Sequence, residues 1–464
     1  MNAPLLLFTA TGLLGAAAVL LRRRPTASAA LVAVGSLATG ALTLAAKLDE
    51  PLLVLGASIK FGSAWQVMGR SFVLDQSNRT AVGFLYLAVA FVFGGAWMAR
   101  PERYLFSAGI LGVGVVAASL MVRPFLFAAV FLELAAMGGV LMLVSPSHPS
   151  GRGALRMLSL YTLAMLAILL AGWMLDTVGV ARGAPDVALR ATLLLSIGFG
   201  VVMAVPPFHH WLPAAWERAH PYSLAFVAML LQSAGVFFLL KFLDGYEWLR
   251  TEAALFAAMR LAGTVMVVFG ALAALSQRSF SRMLAYAVLT GYGVTLIAIG
   301  TQTAHGYQAA LGMIGAHVVG LAVCALGLVR LQGIGPGDDV RVLQGAAYRA
   351  PLAAAASLIG VMSLGGFPLT AGFPPRWALL PLLARDHAWA AGAVAVGILA
   401  IAGGAVRWLW TMLRGEPPGP TPPAPPAETV FLGGGIALCF LLGTFPQILS
   451  SLFLAVRGLT NLVP

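Results

Sequence analysis

The sequence predicts an all-α polytopic membrane protein, and three observations carry that prediction. The 464-residue chain is 60% hydrophobic and 9% charged, with a mean hydropathy of +0.92, more apolar side chain than a soluble core absorbs. Its apolar residues fall into about fourteen runs, each close to the roughly 20 residues that cross a bilayer as a helix. Its arginines gather in alternate connections between those runs. The formal charge of +12 is therefore topological, and nucleic-acid binding is excluded.

The first run, 4–21, is followed by Arg22, Arg23 and Arg24 and lacks a small-residue cleavage site, so it reads as a retained span and not as a signal peptide. Further spans follow at 27–46, 80–99, 104–122, 124–144, 155–179, 187–205, 222–243, 253–275, 283–300, 307–331, 350–367, 388–413 and 429–449. Arg100 and Arg103 follow the third span, Arg152 and Arg156 the fifth, Arg278 and Arg282 the ninth, and Arg330, Arg341 and Arg349 the eleventh. The positive-inside rule then puts the N-terminus outside the cytoplasm, and an even number of spans puts the C-terminus there too.

Between the spans, Lys47 to Arg79 holds alternating and aromatic residues that predict a small extramembrane hairpin. Gly333 to Arg349 is irregular and carries Asp338 and Asp339. The proline run Glu416 to Glu428 reads as an extended connector, and Ser450 to Pro464 as a tail along the membrane surface or against a neighbouring subunit. Two cysteines, Cys324 and Cys439, lie far apart inside apolar runs and imply neither a disulfide framework nor a cysteine metal site.

Two spans are interrupted by proline and glycine: AVPPFHHWLP at Ala204 to Pro213, and GGFPLTAGFPPRW at Gly365 to Trp377. Irregular backbone survives at membrane depth only where protein or a water-lined cavity satisfies its amides and carbonyls, so paired breaks mark a path through the bilayer. Ionisable groups inside spans are costly, and each is a functional candidate. Glu133 sits in the fifth span, either as a proton-exchanging carboxylate at the mouth of a polar path or as a neutral acid bonded to another helix. His209 and His210 follow the first break; adjacent residues diverge by about 100° on a helix, so they chelate a metal poorly, and His209 reads as a relay or as a cap on the broken helix. His317 occupies the centre of the eleventh span, where a neutral imidazole accepts and donates in a water file. Arg376 ends the second break as a fixed cation, and Gln232 can hold water mid-span without carrying charge. Arg260, Lys241 and Arg407 lie near span ends, where snorkelling to the interface is expected. No phosphate loop, dinucleotide fingerprint, nucleophile elbow or HExxH helix occurs.

Four segments in order, PFHHWLP at Pro207 to Pro213, QSAG at Gln232 to Gly235, ALSQRSFSRMLAYA at Ala274 to Ala287 and GFPLTAGFPPR at Gly366 to Arg376, resemble the antiporter-like membrane subunits of respiratory complex I and its Mrp antiporter and membrane-bound hydrogenase relatives. The basic residue ending the second break is most similar to the quinone-proximal type, NADH-quinone oxidoreductase chain N or subunit 2. The resemblance implies two inverted five-helix repeats, each with a broken helix, at 104–243 and 253–413. Around them it places an N-terminal part at 1–103, a proline-rich linker at 414–428 and a last span and tail at 429–464. It implies a bacterial inner-membrane subunit of a proton-translocating oxidoreductase that binds no cofactor itself. Its partners would be other membrane subunits and lipid, with flavin, iron–sulfur clusters and quinone carried by partner subunits. The same motifs are compatible with a Mrp-type cation/proton antiporter, an inorganic-carbon uptake complex or a non-conducting spacer.

The family's functional residues carry over one by one. Its fifth-span glutamate corresponds to Glu133, its seventh-span lysine falls on Val202, and its eighth-span lysine falls on Gln232. The basic pair opening the tenth span is Ser281 and Arg282, and the lysine of the second break is Arg376. The proton-path candidates are thus Glu133, His209, Gln232, Arg282, His317 and Arg376. A mechanism that couples a glutamate to a lysine has lost its lysine here, which predicts a weakened or closed central path.

Overall fold

A computed structural model of the chain describes residues 2–46, 48–49, 51–54, 57–101, 104–144, 151–180, 185–246, 249–250, 252–335, 337–415 and 425–448. The tail Ser450 to Pro464 and most of the proline run Glu416 to Glu428 lie outside them. Helices dominate: α1 (Ala3–Leu20), α2 (Pro25–Ala45), α3 (Gln76–Ala99), α4 (Leu105–Met121), α5 (Ala128–Leu143), α6 (Arg152–Val180), α7 (Pro185–Val202), α8 (Trp211–Trp216) and α9 (Pro221–Gly245). After them come α10 (Ala253–Ser276), α11 (Phe280–Ile299), α12 (Ala304–Gln332), α13 (Ala346–Arg349), α14 (Pro351–Gly365), α15 (Phe373–Asp386), α16 (Ala388–Leu413) and α17 (Pro426–Thr444). Among the described residues, 11 helices are long and apolar enough to cross a membrane, and α4, α14 and the 189–202 part of α7 are apolar but shorter. The predicted all-α membrane architecture is present. The three runs outside that count are α4, α7 and α14, which fall short of the length criterion among the described residues.

The three helices α9, α11 and α12 form the centre. In their most apolar windows 100%, 89% and 89% of residues are buried, against 28% in α1 and α17. A helix apolar on all sides is one that packs on all sides, and these three are wrapped by the rest. Glycines set the closest approaches: a Cβ at Gly263 of α10 would lie 2.5 Å from the Gly293 carbonyl of α11. Small residues at such crossings let backbones touch, the packing available in a lipid solvent.

Helix ends are completed by identifiable groups. The Asp338 carboxylate accepts from the Ser279 hydroxyl at 3.0 Å and from the Ser281 amide at 2.6 Å, placing an anion on the N-terminus of α11. Thr303 Oγ1 accepts from the Gly306 amide at 3.0 Å and caps α12. C-termini receive arginines. Arg260 donates to the Gly300 carbonyl closing α11, and Arg407 to the Gln277 carbonyl closing α10. The snorkelling expected of these two is thus redirected to orphan carbonyls.

The connection between α2 and α3 is richer than the single hairpin expected. Strands β1 (Pro51–Val54) and β2 (Ala57–Lys60) form one antiparallel pair, and β3 (Ala64–Val67) and β4 (Arg70–Val73) a second. Met68 and Gly69, with φ of 48° and 71°, make the two-residue turn that matches strand twist. β5 (Val122–Arg123), between α4 and α5, extends that sheet by pairing with β4. Phe72 packs edge-on against Phe8 at 5.3 Å and Phe131 at 5.8 Å, and Arg123 pairs with Asp75 at 2.8 Å. One sheet thereby clasps α1, α5 and the α4–α5 link.

Candidate proton-path axis

The first break begins where Pro206 and Pro207 deprive the end of α7 of two amide donors. Ala204 turns to φ 58°, the Val205 amide bonds back to the Gly200 carbonyl at 2.8 Å, and a short 3-10 turn at Phe208–His210 leads into α8. His209 is buried there with its ring 4.2 Å from His210 and 4.8 Å from Phe269, and its Nδ1 has no protein partner. Immediately before the break, Val202 is fully buried. Its Cγ1 lies 2.6 Å from where a Cβ on Gly235 of α9 would stand, so Val202 fills the notch that this glycine opens. Tyr161 of α6 donates to the Val202 carbonyl at 3.4 Å.

At the centre, α9, α11 and α12 bring together polar groups with few protein partners. Gln232 is fully buried, and neither its amide nitrogen nor its amide oxygen has a hydrogen-bond partner in the protein. The next residue, Ser233, lies beside the Tyr292 phenol, outside hydrogen-bond geometry. His317 stacks on the Tyr292 ring with centroids 4.8 Å apart and planes at 24°, and both its ring nitrogens are buried and unpartnered. Gly291 makes room for this ring, since a Cβ there would stand 2.0 Å from His317 Nε2. Buried polar groups of this kind are where proteins hold ordered water.

The second break lies beyond His317. α14 ends at Gly365, Gly366 takes a left-handed conformation at φ 80°, and α15 restarts on Pro374 and Pro375. Arg376, 1% exposed, folds back over the glycine turn: Nη1 donates to the Gly372 carbonyl at 2.9 Å and Nη2 to the Leu364 carbonyl at 2.5 Å. Among the described residues no carboxylate forms an ion pair with it. A guanidinium thus plugs the C-terminal end of a half-helix, where carbonyls and the helix dipole favour a cation.

Two candidates stand apart from this row. Glu133 is half-buried on α5, accepts from Thr162 Oγ1 of α6 at 2.5 Å, and keeps a buried Oε2 without a protein partner. Thr162 itself is exposed, so the pair lies on the outer face of the bundle. Arg282 faces Glu217 at 3.7 Å with both side chains nearly half exposed, at the mouth between α8 and α11. Among the described residues no group of three His, Cys, Asp or Glu gathers as a metal site. Sequence reasoning passed over Tyr161, Thr162, Ser233 and Tyr292. The one local signal was the glycine pair flanking Tyr292, which frees space on both sides of an aromatic in an otherwise apolar span.

The residues spanning both breaks and the three central helices, 184–401, match the family described as NADH:quinone oxidoreductase/Mrp antiporter, TM. NADH-quinone oxidoreductase subunit N of Cereibacter sphaeroides is 32% identical over 267 residues, 56% of this chain and 57% of that one. The chain spans about half the length of the curated relatives it matches. The fold extends further. A chain of respiratory complex I from Thermus thermophilus with bound NADH superposes with a TM-score of 0.80 at 21% identity, over 99% of this chain and 100% of that one. A chain of the Mrp complex from a Dietzia species gives 0.77 at 18%, over 100% of each.

Proposed function

We propose that this chain is a membrane-arm subunit of a complex I-like NADH-quinone oxidoreductase. In this reading it keeps a proton channel's frame, with repeats at 104–243 and 253–413, around a weakened or closed central path. Both termini lie outside the cytoplasm of a bacterial inner membrane, and flavin, iron–sulfur clusters and quinone belong to partner subunits.

The observation that carries the conduction part is the occupancy of two positions. Val202 and Gln232, where the resemblance places lysines, are both fully buried. Proton transfer along a row needs groups that take up and release a proton near working pH, or a water file held by groups that tolerate a passing charge. Valine does neither, a glutamine amide only holds water, and Arg376 is committed through both Nη atoms to backbone carbonyls. The stretch of the axis between the first break and His317 is therefore without a titratable group at the two positions where the resemblance places lysines.

The test is Glu133→Gln in the reconstituted assembly, measuring protons moved per electron pair. An unchanged stoichiometry is expected, and a clear loss would overturn the closed-path reading. The assembly itself is identified by its co-purifying subunits: peripheral iron–sulfur proteins support an oxidoreductase, whereas their absence transfers the chain to a Mrp-type antiporter or an inorganic-carbon uptake complex.

A further inference from the structure

A cavity of about 970 Å³ opens away from the axis, where the α1–α2 turn, the end of α3, the start of α4, the end of α12 and the start of α17 meet. Its wall gathers Arg22, Arg23, Arg100 and Arg330 with Trp97 and Tyr104. These arginines follow three different spans, so the fold concentrates charges that the sequence distributes. Arg330 is balanced: its Nε contacts the buried Glu428 carboxylate at 2.6 Å. Arg22, Arg23 and Arg100 are exposed, and among the described residues none of them forms an ion pair.

Further features give the cavity a preference. Residues at the N-terminal ends of α2 and α4 line it, and no side chain caps either helix, although Pro25 at the start of α2 carries no amide donor. Ser28 in the first turn of α2 also lines it; its hydroxyl is buried, with the residue 1% exposed, and has no protein partner. With the one carboxylate in the wall, Glu428, held by Arg330, the three unpaired guanidiniums leave a net positive lining that selects an anion. The location then selects which anion. Trp97 and Tyr104 are 37% and 57% exposed at span ends, the depth at which indole and phenol rings mark the headgroup layer. Val19 and Leu20, 44% and 84% exposed, continue from the arginines down the outer face of α1 as a track for an acyl chain. We propose that this cavity binds the phosphodiester headgroup of an anionic phospholipid. Basic pockets between spans on the positively charged side are suited to such headgroups.

The experiment uses the full chain in its native assembly, stripped of lipid and returned to nanodiscs of phosphatidylcholine alone or with phosphatidylglycerol. Bound lipid is read by native mass spectrometry and by equilibrium binding of spin-labelled lipids. The expected result is preferential retention of phosphatidylglycerol. That preference should fall roughly fivefold for Arg100→Gln and on the order of a hundredfold for Arg22→Gln, Arg23→Gln and Arg100→Gln together. Arg278→Gln with Arg341→Gln, which removes charges outside the cavity, should leave it unchanged, and the triple lysine variant should retain most of it. If the glutamine triple does not assemble, Arg100→Gln against Arg100→Lys reads the same contrast. Equal retention of both lipids, or equal loss in the distal variant, overturns the proposal. So does displacement by inorganic phosphate at constant ionic strength, which would indicate a soluble anion, or a cross-link from Thr26→Cys to an acidic segment of a neighbouring subunit.

Discussion

Arg376→Lys and Arg376→Met separate the charge of this side chain from its fork. The guanidinium spans the second break, with one nitrogen on the Leu364 carbonyl at 2.5 Å and another on the Gly372 carbonyl at 2.9 Å. A hydrogen bond to a charged group contributes about 1.5–3 kcal/mol net. Lysine keeps the burial penalty of a cation but is a point donor on a longer flexible stem, and it cannot bridge both carbonyls in the arginine geometry. The expected loss is therefore one bond, about 1.5–3 kcal/mol. Methionine loses both bonds, yet it also removes a desolvation cost of several kcal/mol, so its net loss should be no larger than that of lysine. Reversible unfolding of the purified chain in mixed detergent micelles measures both values. A lysine variant within about 0.5 kcal/mol of the parent, a difference typical of featureless surface changes, would refute the view that the fork holds the break together.

The remaining predictions follow from groups that are over- or under-satisfied. Gln232→Leu removes a fully buried amide with no protein partner and should be neutral or stabilising by about 1–3 kcal/mol in the same unfolding assay. It should also leave proton stoichiometry unchanged, and a destabilised or uncoupled variant would mean that the amide organises a working water file. Asp338→Ala removes the anion bonded to Ser279 and Ser281 and should cost about 1–2 kcal/mol. Hydrogen exchange should rise selectively in the first turn of α11, and unchanged protection there would count against the capping role.

Hydropathy read most of the fold because a bilayer crossing needs a long apolar run, whatever its neighbours. The breaks were equally legible, since Pro206 and Pro207 remove amide donors where α7 ends, Gly366 takes the left-handed turn that closes α14, and Pro374 suits the first turn of α15. Lateral arrangement was not. Helices that are apolar on every face carry no stripe to say which side packs inward, so nothing local placed Glu133 on the outer face or His317 on Tyr292. The stacking of His317 depends on Gly291, a residue on another helix, and is a property of two chain segments at once. The arginine cavity escaped for the same reason: Arg22, Arg100 and Arg330 were each read as a topological marker, and only the packing of α1, α3 and α12 makes them neighbours. The third strand of the second sheet was hidden because it is only two residues long and comes from a distant connection.

That small sheet also counts crossings. Strand β4 precedes α3 and strand β5 follows α4, and the two are hydrogen-bonded, so they occupy one side of the bilayer. The chain between them must therefore traverse the membrane an even number of times. Since α3 has the length and hydropathy to cross, α4 must carry the chain back, although its 17 residues fall short of the usual length. A pairing of a few backbone groups at one end of the bundle thus fixes the parity of a helix packed inside it, and any insertion error that inverted α4 would have to tear the sheet open.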